Sequence, residues 1–183
     1  MDNKKRACVF CGSSKGNNPA FTAEAKQLGI QLAQKDIGLV YGGGSVGIMN
    51  AVANGVLSKD GEVRGVIPEH LNNSEHAHKG ITELYITQTM HQRKAKMAEL
   101  ANAFITLPGG FGTFEELMEV ITWSQLELHQ KPVIIYNIDG YYDKLIEFIS
   151  YATQSGFISP QNRQQLKVAD TVEACLQHLP FAV

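Results

Sequence analysis

Residues 103–116 read AFITLPGGFGTFEE and join a predicted strand directly to a predicted helix. The first five residues are an apolar run typical of a buried strand, and an amphipathic run from Phe114 to Leu128 follows the glycines. A strand that ends in glycines and turns into a helix brings backbone N–H groups and the positive helix end to one point. The segment therefore predicts a phosphate site with two carboxylates, Glu115 and Glu116, beside it.

The same alternation of strand and helix extends along the chain in both directions. Strand patterns cover residues 6–11, 37–41, 63–67, 84–86, 103–107 and 131–136. Helix patterns cover residues 19–34, 47–57, 91–101, 114–128, 141–153 and 171–179, with a short segment near 161–165. Nearly continuous apolar strands between helices indicate a parallel sheet that is covered on both faces. We therefore expect one α/β domain over residues 1–183, a Rossmann-like doubly wound parallel sheet with helices on both faces.

The composition is that of an ordinary globular protein, with 44% hydrophobic and 19% charged residues. A formal net charge of −2 gives no support to a nucleic-acid or membrane partner held by bulk electrostatics. No apolar run approaches the length of a membrane span, and residues 1–6 lack the apolar core of a secretory signal. We expect a cytoplasmic protein.

Two short patterns could bind metal, but both are better explained without it. Cys8 and Cys11 form a C-x-x-C inside the first strand, with no second pair to complete a zinc site. We interpret them as small buried thiols, and the odd count of three with Cys175 argues against a disulfide framework. His76 and His78 lack a third ligand at a useful spacing and are expected in a solvated loop.

Residues 42–47, GGGSVG, match the dinucleotide pattern G-x-G-x-x-G between a strand and a helix. The pattern normally follows the first strand of the fold, whereas this one follows the second. A dehydrogenase would also need room for a substrate-binding portion. The loop is open to three interpretations: a nicotinamide site, a general phosphate or ribose cradle, or a tight turn.

The helix predicted over 91–101 carries a cation on its apolar face. Arg93 shares that face with Met90, Met97 and Leu100, at offsets of three, four and seven residues. A cation there needs an anion, so Arg93 either forms a structural ion pair with Glu116 or Glu75, or serves a ligand. Lys94 either reaches the same pocket or faces water.

Residues 113–116 also fit a T-x-x-E capping box, with Thr113 as N-cap and Glu116 at the third helical position. In that interpretation Glu116 only stabilises the helix start. Capping does not account for Gly109, Gly110 and Gly112, which leave the backbone bare enough for a ligand to approach closely. Both interpretations of Glu116 stay open on these residues alone.

Taken together, these motifs resemble the Lonely Guy (LOG) family of cytokinin riboside 5′-monophosphate phosphoribohydrolases, whose members are often mislabelled lysine decarboxylases. The resemblance rests on P-G-G-x-G-T-x-x-E at 108–116, on Arg93-Lys94 upstream and on the glycines at 42–44. It covers nearly the whole chain, from residue 9 to residue 142.

The resemblance implies hydrolysis of the N-glycosidic bond of a nucleoside 5′-monophosphate, giving the free base and ribose 5-phosphate. It makes Arg93 and Glu116 catalytic, with the carboxylate beside the developing positive charge of the sugar. It implies substrate-binding roles for eleven residues: Ser14, Gly43, Gly44, Glu75, Lys94, Gly109, Gly110, Phe111, Gly112, Thr113 and Glu115.

The resemblance also implies a homodimer or higher homo-oligomer, with the helix around Trp123 close to the subunit contact, and no metal or cofactor. Pyridoxal chemistry needs a Schiff-base lysine, and no lysine lies between Lys96 and Lys131. The base is left open between prenylated adenine, plain adenine and another base, because residues 125–129 lie in a variable region. A nucleotide-binding module without turnover and a nicotinamide oxidoreductase are the rival classes.

Overall fold

The structure, a computed structural model, describes residues 4–72 and 77–181. The strands are β1 (Arg6–Phe10), β2 (Gly38–Tyr41), β3 (Val63–Pro68), β4 (Glu83–Thr87), β5 (Ala103–Thr106), β6 (Val133–Tyr136) and β7 (Leu166–Ala169). The helices are α1 (Pro19–Gln34), α2 (Gly47–Leu57), α3 (Glu69–Asn72), α4 (Met90–Leu100), α5 (Phe111–Gln125), α6 (Asp143–Gln154), α7 (Pro160–Gln165) and α8 (Val172–Gln177), with a 3₁₀ turn at Ile138–Gly140. Within these residues no helix is both long and apolar enough to cross a membrane.

The strands form one sheet in the order β4-β3-β2-β1-β5-β6-β7, and every pair is parallel. The chain builds outward from β1 to β4 and then crosses back to place β5 on the other side of β1. The direction of winding therefore reverses between β1 and β5. Ligands of such sheets bind beyond the carboxyl ends of the strands at this reversal. The predicted doubly wound α/β fold is confirmed.

Alternate residues of each strand enter two separate cores, one on each face of the sheet. In β5, Ala103 and Ile105 pack in the core that contains α1, α2 and α8. Phe104 packs on the opposite face with Met97 of α4 and Leu117 of α5. Both faces are covered, and for this reason the central strands are apolar at nearly every position.

Two elements were not predicted, and one was predicted in the wrong place. The edge strand β7 is short and carries an exposed lysine, Lys167, so its pattern is weak. The four-residue helix α3 lies in a segment predicted as a loop. Helix α5 begins at Phe111, three residues before the predicted start at Phe114, and ends at Gln125.

Candidate active site

A cavity of about 520 Å³ lies at the carboxyl edge of the sheet, between the two halves of the fold. Its walls are the loops after β1 and β2, the end of β3, the first turns of α2 and α5, and one residue each of α3 and α4. The lining residues are Cys11, Gly12, Ser13, Gly42, Gly44, Val46, Met49, Ile67, Leu71, Arg93, Gly110, Phe111, Gly112, Thr113 and Glu116. This volume lies in the range of ordinary small-molecule sites.

An ion pair between α4 and α5 forms one wall of the cavity. The Arg93 Nη1 donates to Glu116 Oε1 at 2.9 Å, and the two side chains are only 11% and 9% exposed. Arg93 Nε donates to the Val66 carbonyl at the end of β3, at 3.0 Å. The guanidinium is thereby fixed from two directions. Because a Cβ on Gly42 would collide with Arg93 Nη2, glycine at position 42 leaves the space that this nitrogen occupies.

The carboxylate of Glu116 is under two opposing influences. Burial raises the pKa of Glu116, while the neighbouring Arg93 guanidinium lowers it, and the net shift is upward. Only Oε1 has a hydrogen-bond partner among the described residues, so Oε2 is available to a ligand in the cavity that Glu116 lines. A partly desolvated carboxylate with one oxygen available is suited to act on a bound ligand as a base or as a negative charge.

The two cysteines of the C-x-x-C lie close behind this pair. Both are free and buried, as predicted. Burial, with a smaller contribution from Glu116, raises the pKa of the Cys8 and Cys11 thiols well above the ordinary value. Thiols of this kind stay protonated and act as small apolar groups. Among residues 4–72 and 77–181, no three His, Cys, Asp or Glu side chains form a group that could hold a metal ion.

The start of α5 places bare backbone at the cavity. Its N-cap is Gly110, without a side-chain cap, and the first helical N–H to reach a carbonyl is that of Phe114. The N–H groups of Phe111, Gly112 and Thr113 therefore have no partner within the helix. A Cβ built on Gly110 or Gly112 would meet no atom within 4 Å, which shows that both face open space.

The capping-box interpretation of Thr113 and Glu116 is therefore wrong. Thr113 lies inside α5, at the third helical residue, and is not its N-cap. Thr113 and Glu116 are three residues apart, so they share one face of the helix. Both are buried, at 4% and 7% exposure, and both line the cavity.

A second cavity of about 330 Å³ adjoins the first and shares Gly12, Ser13 and Gly110 with it. Its other lining residues are Ser14, Gly16, Phe21, Ile48, Pro108, Gly109 and Tyr141. The loop after β1 and the P-G-G loop after β5 thus form the boundary between the two cavities. A hydrogen bond from the Gly12 N–H to the Pro108 carbonyl, at 3.0 Å, holds these loops together.

Comparison with known proteins identifies the family. Residues 49–179 match the family model described as "Possible lysine decarboxylase". Two cytokinin riboside 5′-monophosphate phosphoribohydrolases of Arabidopsis thaliana are 50% and 49% identical over 175 residues. The alignments cover 96% of this chain and 81% and 82% of those proteins. The chain belongs to the Lonely Guy family.

Solved structures with much lower sequence identity to this chain share its fold. A molybdenum cofactor binding protein from Rippkaea orientalis matches with a TM-score of 0.72 and 22% identity, over 97% of this chain and 96% of that one. The molybdenum cofactor carrier protein of Chlamydomonas reinhardtii matches with a TM-score of 0.73 and 19% identity, over 96% and 94%. At this identity the likeness concerns the fold alone.

The structure brings most of the signature residues of the Lonely Guy family to the two cavities. The first is lined by Gly44, Arg93, Gly110, Phe111, Gly112, Thr113 and Glu116. The second is lined by Ser14, Gly109 and again Gly110. These residues come from three loops and two helices that are far apart in the sequence.

Four of the predicted substrate-binding residues are not placed at these cavities by the described structure. Lys94 forms ion pairs with Glu115 and with Glu119 of α5, at 3.0 Å to Glu119, and neither Lys94 nor Glu115 lines the cavity. Gly43 lies beside the cavity wall, where its carbonyl accepts from the His78 N–H at 2.9 Å. Glu75 lies outside the described residues, as does His76 of the H-x-H.

Sequence reasoning missed the apolar side of the cavity and one aromatic residue at its edge. Val46, Met49, Ile67 and Leu71 line the first cavity, and Tyr141 lines the second. Val46 falls within the glycine loop, which the sequence marks as a site, but Met49 and Ile67 are indistinguishable from core residues there. Tyr141 follows β6, whose carboxyl end lies at the same edge of the sheet, and that position was the available signal.

Proposed function

We propose that this protein hydrolyses the N-glycosidic bond of an N6-modified adenosine 5′-monophosphate, releasing the cytokinin base and ribose 5-phosphate. The observation that carries the proposal is the buried Arg93–Glu116 pair, which faces a ligand-sized cavity beside an uncapped helix start. The Arabidopsis relatives at 50% and 49% identity are named for this activity.

The phosphate end of the substrate fits the start of α5. The N–H groups of Phe111, Gly112 and Thr113 lack partners within the helix, and Gly110 and Gly112 present no side chain. Backbone donors and the positive end of a helix together favour an anion. The base then falls toward the apolar side of the cavity at Val46, Met49, Ile67 and Leu71.

The sugar lies between those two ends, next to Glu116. In the reaction, water attacks C1′ and the bond from C1′ to the base nitrogen breaks. The base leaves with one proton of the water, and the hydroxyl stays on ribose 5-phosphate. The sugar carries positive charge in the transition state, and the ionised Glu116 stabilises that charge or activates the attacking water.

Arg93 serves as the residue that orients Glu116. Its bonds to the Val66 carbonyl and to Glu116 Oε1 hold the carboxylate by one oxygen, which leaves Oε2 available to the substrate. Its charge also favours the ionised form of Glu116 against the cost of burial. We expect Arg93 Nη2, which lies against the cavity residue Gly42, to contact the departing base.

A panel of nucleotides, read by chromatography for released base, tests the proposal. N6-prenylated AMP should give free base and ribose 5-phosphate, and the unphosphorylated nucleoside should react little because it lacks the anion. Equal or faster turnover of plain AMP would make the protein an AMP nucleosidase. Binding without any released base would make it a nucleotide-binding module and contradict the proposal.

We also propose a cytoplasmic homodimer. Three apolar side chains on the second half of α5 and just after it are exposed, namely Met118, Leu126 and Leu128, at 37%, 60% and 69%. Exposed apolar residues grouped on one element are typical of a subunit contact. Trp123 itself packs partly buried against the core, so it supports the helix from beneath.

A further inference from the structure

Two tyrosines form hydrogen bonds to the backbone of the loop after β5, which carries Gly109 and Gly110. Tyr141 donates its hydroxyl to the Gly109 carbonyl at 2.6 Å, and Tyr142 donates its hydroxyl to the Leu107 carbonyl at 2.7 Å. The Pro108 carbonyl between them accepts from the Gly12 N–H. All three consecutive carbonyls are therefore occupied by contacts within the protein.

The Gly109 bond has a specific consequence for the next amide. A peptide unit is planar and trans, so the C=O of Gly109 and the N–H of Gly110 point in opposite directions. Gly110 lines both cavities, whereas Tyr141 lines the second cavity only. Holding the carbonyl toward Tyr141 therefore turns the Gly110 N–H away from Tyr141, and the first cavity is the one that Gly110 lines without Tyr141.

This peptide unit would otherwise rotate easily. It joins two glycines, which reach backbone conformations that other residues avoid. A flipped unit would present the Gly109 carbonyl to the cavity in place of the N–H. A carbonyl oxygen facing a phosphate is repulsive, so a single flip would replace a donor by an acceptor where the anion binds.

Tyr141 is well placed to prevent that flip. Its ring packs edge-on against Phe21 at 5.5 Å and against Tyr142 at 4.9 Å between ring centroids. The side chain of Asn137 accepts from the Tyr142 N–H at 2.7 Å and donates to Asp143 at 2.8 Å. The turn that presents the two tyrosines is thus fixed, while Tyr141 remains 41% exposed and contributes little to the core.

We propose that Tyr141 is a positioning residue for the phosphate: its hydroxyl locks the Gly109–Gly110 peptide with the N–H directed at the anion. The inference rests on the proposed function, because it assigns the anion at α5 to the 5′-phosphate of the substrate. It predicts that the Tyr141 hydroxyl acts on phosphate affinity and leaves the chemical step nearly unchanged.

The test compares Tyr141→Phe with the wild type and with Tyr151→Phe, a control on the 65% exposed tyrosine of α6. Ribose 5-phosphate binding is measured by calorimetry, and KM and kcat are measured with the nucleotide. One lost hydrogen bond to a charged group corresponds to about a tenfold weaker Kd. We expect Tyr141→Phe to raise Kd and KM by about that factor, with kcat and melting temperature nearly unchanged and Tyr151→Phe like the wild type.

The NMR amide resonance of Gly110 distinguishes a role in phosphate binding from a purely structural role of Tyr141. It should shift strongly when phosphate is added to the wild type and weakly in Tyr141→Phe. Unchanged ribose 5-phosphate affinity in Tyr141→Phe would overturn the inference, as would an equal loss of affinity for free adenine. The binding measurements need no turnover, so a wild type that binds ribose 5-phosphate but releases no base would refute the proposed function alone.

Discussion

At the scale of single residues, the site depends on how Glu116 is held between burial and Arg93. Burial alone would favour the neutral acid, while the guanidinium at 2.9 Å favours the carboxylate. The net upward shift of the pKa of Glu116 means that the folded protein binds this proton more tightly than the unfolded chain does. Its stabilising contribution is therefore present at low pH and is lost as pH rises through the folded-state pKa.

The same shift predicts the pH dependence of catalysis. Since the ionised carboxylate is the active form, kcat/KM should fall on the acid side as Glu116 is protonated. The midpoint of that limb should lie above 4.5, the ordinary value for glutamate. A pH–rate profile of the wild type measures it. A midpoint below the ordinary value, or no acid limb while the protein stays folded, would contradict the role of Glu116.

At the scale of elements, α4 and α5 are joined by two neighbouring sets of ion pairs. Arg93 pairs with Glu116 at the cavity, and Lys94 pairs with Glu115 and Glu119 beside it. Burial lowers the pKa of Lys94, but the hydrogen bonds and charges of the two carboxylates together raise it by more, so the net shift is upward. Lys94 therefore stays charged, and its visible role is to hold the helices in register.

Lys94→Met separates this structural role from the substrate-binding role that the family resemblance implies. The variant keeps the buried stem and removes the charge. Because its carboxylate partners are 57% and 24% exposed, we expect a loss of stability of only about 1 kcal/mol. Melting temperature should fall slightly while KM changes little. A large rise in KM at unchanged melting temperature would instead place Lys94 at the substrate.

The sequence predicts most elements to within two residues of their observed ends, and α5 is the main exception. Apolar periodicity reports burial, so it predicts the buried strands β1, β2, β3, β5 and β6, while the more exposed edge strand β4 is predicted only at its centre. The T-x-x-E pattern at 113–116 is a local preference of about 1 kcal/mol, and the packing of the loop before α5 overrides it. A Cβ on Gly109 would collide with the backbone of Gly12, whose N–H binds the Pro108 carbonyl, so the loop before α5 is held by contact with the loop after β1.

The site was predictable to the extent that it lies in glycine-rich loops. Arg93 is a charged residue on an otherwise apolar helix face, and Glu116 is a charged residue that follows a run of glycines. Both features are visible in the sequence. Met49 and Ile67 are apolar residues in apolar elements, so only the three-dimensional arrangement distinguishes them from the core. The same holds for Tyr141, whose hydroxyl reaches Gly109 across 32 residues of sequence.

At the scale of the whole molecule, the reversal of winding between β1 and β5 brings the two halves of the chain to one site. The loop after β1 supplies Gly12 and Ser13, and the loop after β5 supplies Gly110 and the start of α5. Arg93 comes from α4, which connects the two halves. The cavity therefore depends on residues from both halves of the sheet.

The proposed dimer is tested with the apolar residues exposed at the end of α5. Leu126→Glu combined with Leu128→Glu places two charges in the expected contact and should convert a dimer into a monomer. Light scattering after size-exclusion chromatography measures the mass. Phe157→Glu alters another exposed apolar residue, at 89% exposure, and should leave the mass unchanged. A wild type that elutes as a monomer would contradict the proposal.

Glu116→Gln separates a catalytic role of Glu116 from a structural one, with Glu119→Gln on the same helix as the control. Glutamine keeps the shape and can still accept from Arg93, so melting temperature and ribose 5-phosphate affinity should stay near those of the wild type. Release of base from N6-prenylated AMP should fall by about 10²–10⁴-fold in Glu116→Gln only. Turnover by Glu116→Gln close to that of the wild type would show that Glu116 is not catalytic.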